Sequence, residues 1–128
     1  VAESELKFRN LVEGSLQGIF VHRDFKPLFA NQKCAEIFGY VSPEEILSLK
    51  SILNFWAPEE QEHITEYKSR NISGTEVPYH YECQGIRKDG SHFWFENSVT
   101  TIHWQGEWAI QAAVVDITAR KLANESHQ

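Results

Sequence analysis

The stretch Ile86-Arg87-Lys88-Asp89-Gly90-Ser91-His92-Phe93-Trp94-Phe95-Glu96-Asn97-Ser98-Val99 decides the fold. Its Lys88-Asp89-Gly90-Ser91 segment suits a hairpin turn, because Asp-Gly tolerates the positive φ that such turns demand. Beyond the turn the residues alternate: Phe93, Phe95, Asn97 and Val99 share one side, Trp94 and Glu96 the other. That period of two predicts a strand over Ser91 to Ile102. Val77 to Arg87 predicts its partner ahead of the turn. Gln105-Gly106 reverses the chain again, and Trp108 to Val115 predicts a third strand. Three hairpin-linked strands make an antiparallel meander.

Upstream of the meander the period changes to that of helices. Pro58-Glu59-Glu60 opens a helix with proline at its first position and acids at its positive end. Ile64 and Tyr67 share one side of it, and it fades near Ser73-Gly74. Ser42-Pro43-Glu44-Glu45 opens another, with Glu45 in the capping-box position, and predicts helix to about Leu49. Asn31 caps a helix over Gln32 to Phe38, which Gly39 stops. Further back, Gly18 to His22 and Pro27 to Ala30 predict two short strands about the turn Arg23-Asp24-Phe25-Lys26. Glu3 to about Glu13 predicts an amphipathic helix. Past the meander, Asp116-Ile117-Thr118 ends the last strand and Ala119 to Glu125 favours helix. The sum is an α+β domain: one five-stranded antiparallel sheet, short helices on one side and a flanking N-terminal helix.

Composition narrows the function. The 128 residues are 41% hydrophobic and 23% charged, which suits one globular domain with its own core. A net charge of −6, with the basic residues scattered, argues against nucleic acid as a partner. No apolar run approaches the roughly 20 residues of a spanning helix, so direct membrane insertion is not expected. The opening VAESELKFRN is charged throughout, unlike a signal peptide. Cys34 and Cys83 read as two reduced thiols of a cytoplasmic protein. Metal-ligand spacings such as CxxC or HExxH are absent from the sequence.

With these elements in place, the chain resembles the PAS family (the sensory box) from about Leu6 to Lys121. Four stretches carry the resemblance. They are Asn31-Gln32-Lys33-Cys34-Ala35-Glu36-Ile37-Phe38-Gly39-Tyr40, Ser42-Pro43-Glu44-Glu45-Ile46-Leu47, Ile86 to Ser91 followed by Phe93-Trp94, and Asp116-Ile117-Thr118-Ala119-Arg120-Lys121. The resemblance implies a PAS fold: a curled sheet whose concave face and short helices enclose a pocket. It implies a non-catalytic sensor of a bacterial signalling protein, covalently linked to an effector such as a GGDEF diguanylate cyclase or a histidine kinase. Residues 1–14 would be a flanking helix, 15–118 the sensor domain and 119–128 the start of a signalling helix.

Similarity to flavin-binding relatives implies that Phe93, Phe95 and Asn97 face inward, with Cys83, Ile110, Ala112 and Val114 on neighbouring strands. Phe20, Phe29, Phe38, Trp56, Ile64 and Tyr67 would close the space. Such a pocket suits a small apolar or amphipathic ligand; the same aromatic residues serve equally as plain core packing. Photosensing relatives need a cysteine ahead of the third helix. Ser51-Ile52-Leu53-Asn54-Phe55-Trp56 has none, so covalent flavin chemistry is not expected. Haem-binding relatives take a histidine from that helix, where His63 stands. It lies among Glu60, Gln61, Glu62 and Glu66, as a solvated residue would. No cofactor is required. An enzyme is not expected either, since the acids gather at helix starts and turns rather than as a pocket pair.

Asp116, Ile117 and Thr118 form the expected signal relay, Asp116 pairing by resemblance with the basic Arg87-Lys88 hairpin. The helix that carries Leu6, Phe8, Leu11 and Val12 is too short to stand alone in water. It would pack on its own sheet, near Trp94 and Val115, or form the interface of a homodimer.

Overall fold

The computed structural model describes residues 17–62 and 79–126. Five strands form one antiparallel sheet: β1 (Gly18–Arg23), β2 (Lys26–Ala30), β3 (Tyr79–Ile86), β4 (His92–Trp104) and β5 (Glu107–Asp116). Their order across the sheet is β2-β1-β5-β4-β3. The N-terminal hairpin therefore joins the meander at β5, with Phe20 opposite Ala112 and Ile19 opposite Ala113. The β3–β4 register pairs Cys83 with Phe95 and Tyr81 with Asn97, so the alternation read from sequence aligns across the hairpin. β4 runs two residues beyond the expected Ile102, because Trp104 still pairs with Glu107 and is buried.

The helices start and stop where side chains satisfy loose backbone groups. Helix α1 (Gln32–Phe38) is capped by Asn31, whose Oδ1 accepts from Cys34 N, and ends at Gly39 with φ +82°. Helix α2 (Pro43–Leu47) starts at Ser42, whose Oγ accepts from Glu45 N. The Glu45 carboxylate reaches one residue further back than a capping box requires, accepting from Val41 N at 2.8 Å. The helix stops short of Leu49, where the Ser48 hydroxyl donates back to Glu45 O at 2.7 Å. A 3₁₀ turn follows at Leu53–Phe55, and residues 58–62 are helical. The last helix, α3 (Thr118–Ser126), leaves the end of β5.

Alternation divides the core between the two faces of the sheet. The inner face, under α1, α2 and the 3₁₀ turn, gathers Phe20, Phe38, Phe55, Trp56, Phe93 and Phe95. Gly18 lets α1 approach: a Cβ there would stand 2.9 Å from Cys34 Cα. The outer face holds a smaller cluster of Ile19, Val21, Phe29, Trp104 and Ala109. Both faces of β1 are thus buried, and each fully buried large apolar side chain contributes about 1.5–3 kcal/mol. The free edge of β3 is covered in part by residues 56–60. Trp56 bridges to Gly85, Ala57 N donates to Gln84 O, and Gln84 N donates to the Glu60 carboxylate.

Candidate functional site

The inner face has two ends. Near the β3–β4 hairpin it is filled with interlocked rings. Phe38 stacks on Phe55 with centroids 4.1 Å apart and meets Phe93 and Phe95 edge-on at 5.4 and 5.6 Å. Phe20 closes on Phe55 at 5.6 Å. Gly85 is part of this fit, since a Cβ would lie 2.7 Å from the Phe95 ring and 2.9 Å from Phe93. Cys34 and Cys83 are free thiols inside it. Burial pushes both far above the ordinary thiol range; for Cys83 the Glu60 charge adds to this and the Trp56 indole opposes it. Neither is a nucleophile at neutral pH. The Trp56 N–H, despite that pull, has no acceptor in hydrogen-bonding position.

The other end of the same face is polar. Asn97 is fully buried, and its Nδ2 donates to the Tyr81 hydroxyl at 2.9 Å while Oδ1 has no partner. Thr101, further along β4 on the same side, is 5% exposed and its hydroxyl is also unpartnered. Val99 lies between them, opposite Ala112, and Thr101 faces Ile110 across the ladder. His22 closes the row on β1, opposite Ile110. Its Nδ1 accepts from Phe25 N at 3.2 Å, and the two rings stack at 5.3 Å. This contact holds Phe25 at φ +65°, uncommon for an aromatic residue. Among the described residues, no group of histidine, cysteine and acidic side chains is placed to hold a metal ion.

The exit from the sheet is tied to β4 on its outer side. Ile117 N donates to Trp94 O at 3.0 Å, and Trp94 N donates to Thr118 Oγ1 at 3.1 Å. Asp116 Oδ1 accepts from Thr118 N at 2.9 Å and caps the turn into α3, while Oδ2 pairs with Arg87 at 3.1 Å. The first turns of α3 are latched to the outer face. Arg120 reaches Glu82 at 2.9 Å and Glu96 at 3.5 Å, and Lys121 reaches Glu82 at 2.6 Å. Lys121 also stands 4.8 Å over the Trp94 ring. The Lys121 contact, then those of Arg120, hold the Glu82 carboxyl below its usual range.

The sequence that forms this sheet and its short helices matches a known family model. The model described as PAS fold covers residues 27–113. The chain belongs to the PAS family. No curated protein matches its sequence. Solved PAS domains share its fold at low identity. One, from a two-component sensor histidine kinase, is 19% identical with a TM-score of 0.70, covering 91% of this chain and 99% of that one. Another, from a LuxR-family transcriptional regulator of Burkholderia thailandensis, was solved in complex with ethanol. It is 18% identical with a TM-score of 0.69, covering 86% of this chain and 96% of that one. The N-terminal domain of a diguanylate cyclase with PAS/PAC sensor from Marinobacter aquaeolei is 17% identical with a TM-score of 0.63. There the match covers 82% of this chain and 98% of that one.

Within this PAS domain, Phe20, Phe38, Trp56, Cys83, Phe93, Phe95, Ala112 and Val114 meet in the inner cluster, and Asn97 shares their face. Phe29 departs from the expectation. It pairs with Val21 and packs on Trp104 at 5.9 Å on the outer face, because β2 follows β1's alternation and puts Ala30, not Phe29, inside. Lys121 stands over the Trp94 ring; the N-terminal helix expected near Trp94 lies outside the described residues. Ile64, Tyr67 and His63, like Leu6, Phe8, Leu11 and Val12, lie outside the described residues. Sequence reasoning missed Thr101, Tyr81 and His22. Extending the alternation from Asn97 through Val99 would have reached Thr101.

Proposed function

We propose that this PAS domain is the sensor of a bacterial signalling protein, cytoplasmic and homodimeric. It takes a small ligand at its inner face and passes the change through Asp116, Ile117 and Thr118 to a linked histidine kinase or GGDEF diguanylate cyclase. The observation that carries this reading is the double hydrogen bond between Trp94 and the Ile117–Thr118 exit. Trp94 sits between Phe93 and Phe95, both buried on the inner face. A shift in inner packing moves the same stretch of backbone that anchors the departing helix. Such a ligand acts only by its difference in affinity for two arrangements of the sheet. The kinase and cyclase origins of two structural relatives, and the ethanol complex of a third, support the effector and ligand classes.

The domain itself carries no step of catalysis in this reading; residues 1–14 flank it, 15–118 sense and 119–128 begin the relay. The test is a fusion of the chain to a histidine kinase with measured autophosphorylation. Thr118→Val and Asp116→Ala are expected to change the kinase output, while Lys50→Ala on the far surface does not. Variants indistinguishable from the parent fusion would overturn the relay. Light scattering reads the dimer, attributed to Leu6, Phe8, Leu11 and Val12, and a monomer at high concentration would reject it. Visible absorbance bands in the purified protein would replace the small-ligand reading with a haem or flavin sensor.

A further inference from the structure

We propose that His22 is a proton-operated clasp. Neutral, it holds Phe25 in a strained turn and, through Phe25, one end of the segment Ile52 to Ala57; protonated, it lets both go. The clasp works whether or not the inner face takes a ligand.

The β1–β2 and β4–β5 hairpins close on turns of the same kind. Asp24-Phe25 lies between the paired residues Arg23 and Lys26, and Gln105-Gly106 between Trp104 and Glu107. All four turn residues have positive φ: +54° and +65° in the first turn, +54° and +85° in the second. Such turns favour glycine at the second position, and β4–β5 has one there. β1–β2 has a phenylalanine instead, whose Cβ crowds the following carbonyl in that conformation. A restraint outside the turn must hold it.

That restraint is His22. Phe25 N donates to His22 Nδ1 at 3.2 Å, and the two rings stack with 5.3 Å between centroids and 10° between planes. From Phe25 the tie runs inward. Its carbonyl accepts from Ile52 N at 2.7 Å, and its ring meets Trp56 edge-on at 6.4 Å. The far end of the same segment is tied to β3, by the Trp56–Gly85 bridge and by Ala57 N donating to Gln84 O. The segment therefore has two moorings, and His22 controls one.

A backbone amide can only donate, so Nδ1 carries a lone pair and the proton of the neutral ring sits on Nε2. A second proton at Nδ1 sets two N–H groups against each other and removes the bond. His22 is 4% exposed, so the new charge is also poorly hydrated where it stands. The turn then relaxes, and the Phe25 carbonyl and ring leave Ile52 and Trp56. The closed clasp binds one proton fewer than the open one, so acid opens it and base closes it. Among the described residues, the charged and titratable groups on the surrounding elements are Arg23, Asp24, Lys26, Lys50, His103 and Glu107. Arg23 is directed to the carbonyls of Trp108 and Trp104, at 2.8 and 3.1 Å, and to Glu107. Asp24, Lys26, Lys50 and His103 are exposed, and His103 lies against the Trp108 ring at 4.0 Å.

The test is a titration of the isotope-labelled chain from about pH 8 to about pH 5, the range in which imidazoles change charge. The Phe25 and Ile52 amide signals are expected to shift along the same curve as the His22 ring. Exchange of the Phe25 amide, corrected for its intrinsic pH dependence, should quicken at least about tenfold along that curve. His22→Phe keeps a ring to stack and has no acceptor, so its Phe25 and Ile52 signals should stand at the acid position already at neutral pH. His103→Gln should leave the parent's curve as it is. Phe25→Gly removes the strain, so its Ile52 signal should no longer follow pH; this variant decides the matter where His22→Phe does not fold. Phe25 and Ile52 signals that stay in place while His22 titrates overturn the clasp. So does a His22 ring that takes up no proton over the whole range, or a response that survives in His22→Phe or Phe25→Gly. The ligand and relay readings stand in each of those cases.

Discussion

The two ends of the inner face are built from the same strands yet solve burial differently. Around Phe38, Phe55, Phe93 and Phe95, rings sit 4.1–5.6 Å apart and even a methyl group at Gly85 has no room. Around Asn97 and Thr101, hydrogen-bonding capacity is buried and not used within the protein. Dense apolar packing contributes stability and transmits small displacements from ring to ring. Unpaired polar atoms cost stability, on the order of 1–3 kcal/mol each, and a suitable ligand recovers that cost. The contrast teaches that dense packing and unused hydrogen-bonding capacity are segregated along β4, with Trp94 and the exit helix attached at the packed end.

The sharpest way to break this comparison is to damage the packed end. Phe95→Ala should cost about 3–5 kcal/mol in denaturant unfolding, the cost of a large cavity in a core that cannot collapse. A loss below about 1 kcal/mol would mean that this end is loosely packed after all. Gly85→Ala tests the same end by overfilling and should cost about 1–3 kcal/mol, because both rings facing the new methyl are held by neighbours. At the polar end the sign reverses. Thr101→Val should leave stability unchanged or raise it by up to about 1 kcal/mol, measured by the same unfolding curves. A destabilisation comparable to Gly85→Ala would erase the distinction.

The smallest effect is expected at the outer latch of α3. Glu82 has its pKa lowered, first by Lys121. A carboxylate held low stabilises the docked helix fully above its unfolded value, about pH 4.3, and the contribution is lost as pH falls below that. The Trp94 indole signal should therefore shift on acidification through that range, as Lys121 leaves the ring. Glu82→Gln should produce the same shift at neutral pH, and added salt should reduce the parent's latch, since these charges are partly exposed.

Much of this architecture was legible because it rests on local chemistry. Asn31, Gly39, Ser42 and the Asp89-Gly90 turn each act within a few residues, so helix starts, stops and the hairpin follow from the chain. That Phe93, Phe95 and Asn97 share a face was legible for a similar reason, since period two needs only the strand itself; that the face points inward came from the resemblance. Phe29 was not. Which face β2 presents depends on its register with β1, where Val21 meets Phe29 and a bulge follows. The polar end was half legible: Asn97 stood out, but that its nitrogen meets Tyr81 from another strand while its oxygen is left without a partner does not follow from β4 alone.

Among the described residues, the sequence by itself determined the strands and the helix starts, the antiparallel meander and the polar and apolar residues of each strand face, because caps, turns and alternation are short-range. Only the tertiary structure decided that β1 joins β5, that Arg120 and Lys121 fold α3 back onto Glu82 and Glu96, and that Asn97 and Thr101 end without partners. Pairing, latching and satisfaction are relations between residues distant in the chain, and they exist only once the sheet has closed.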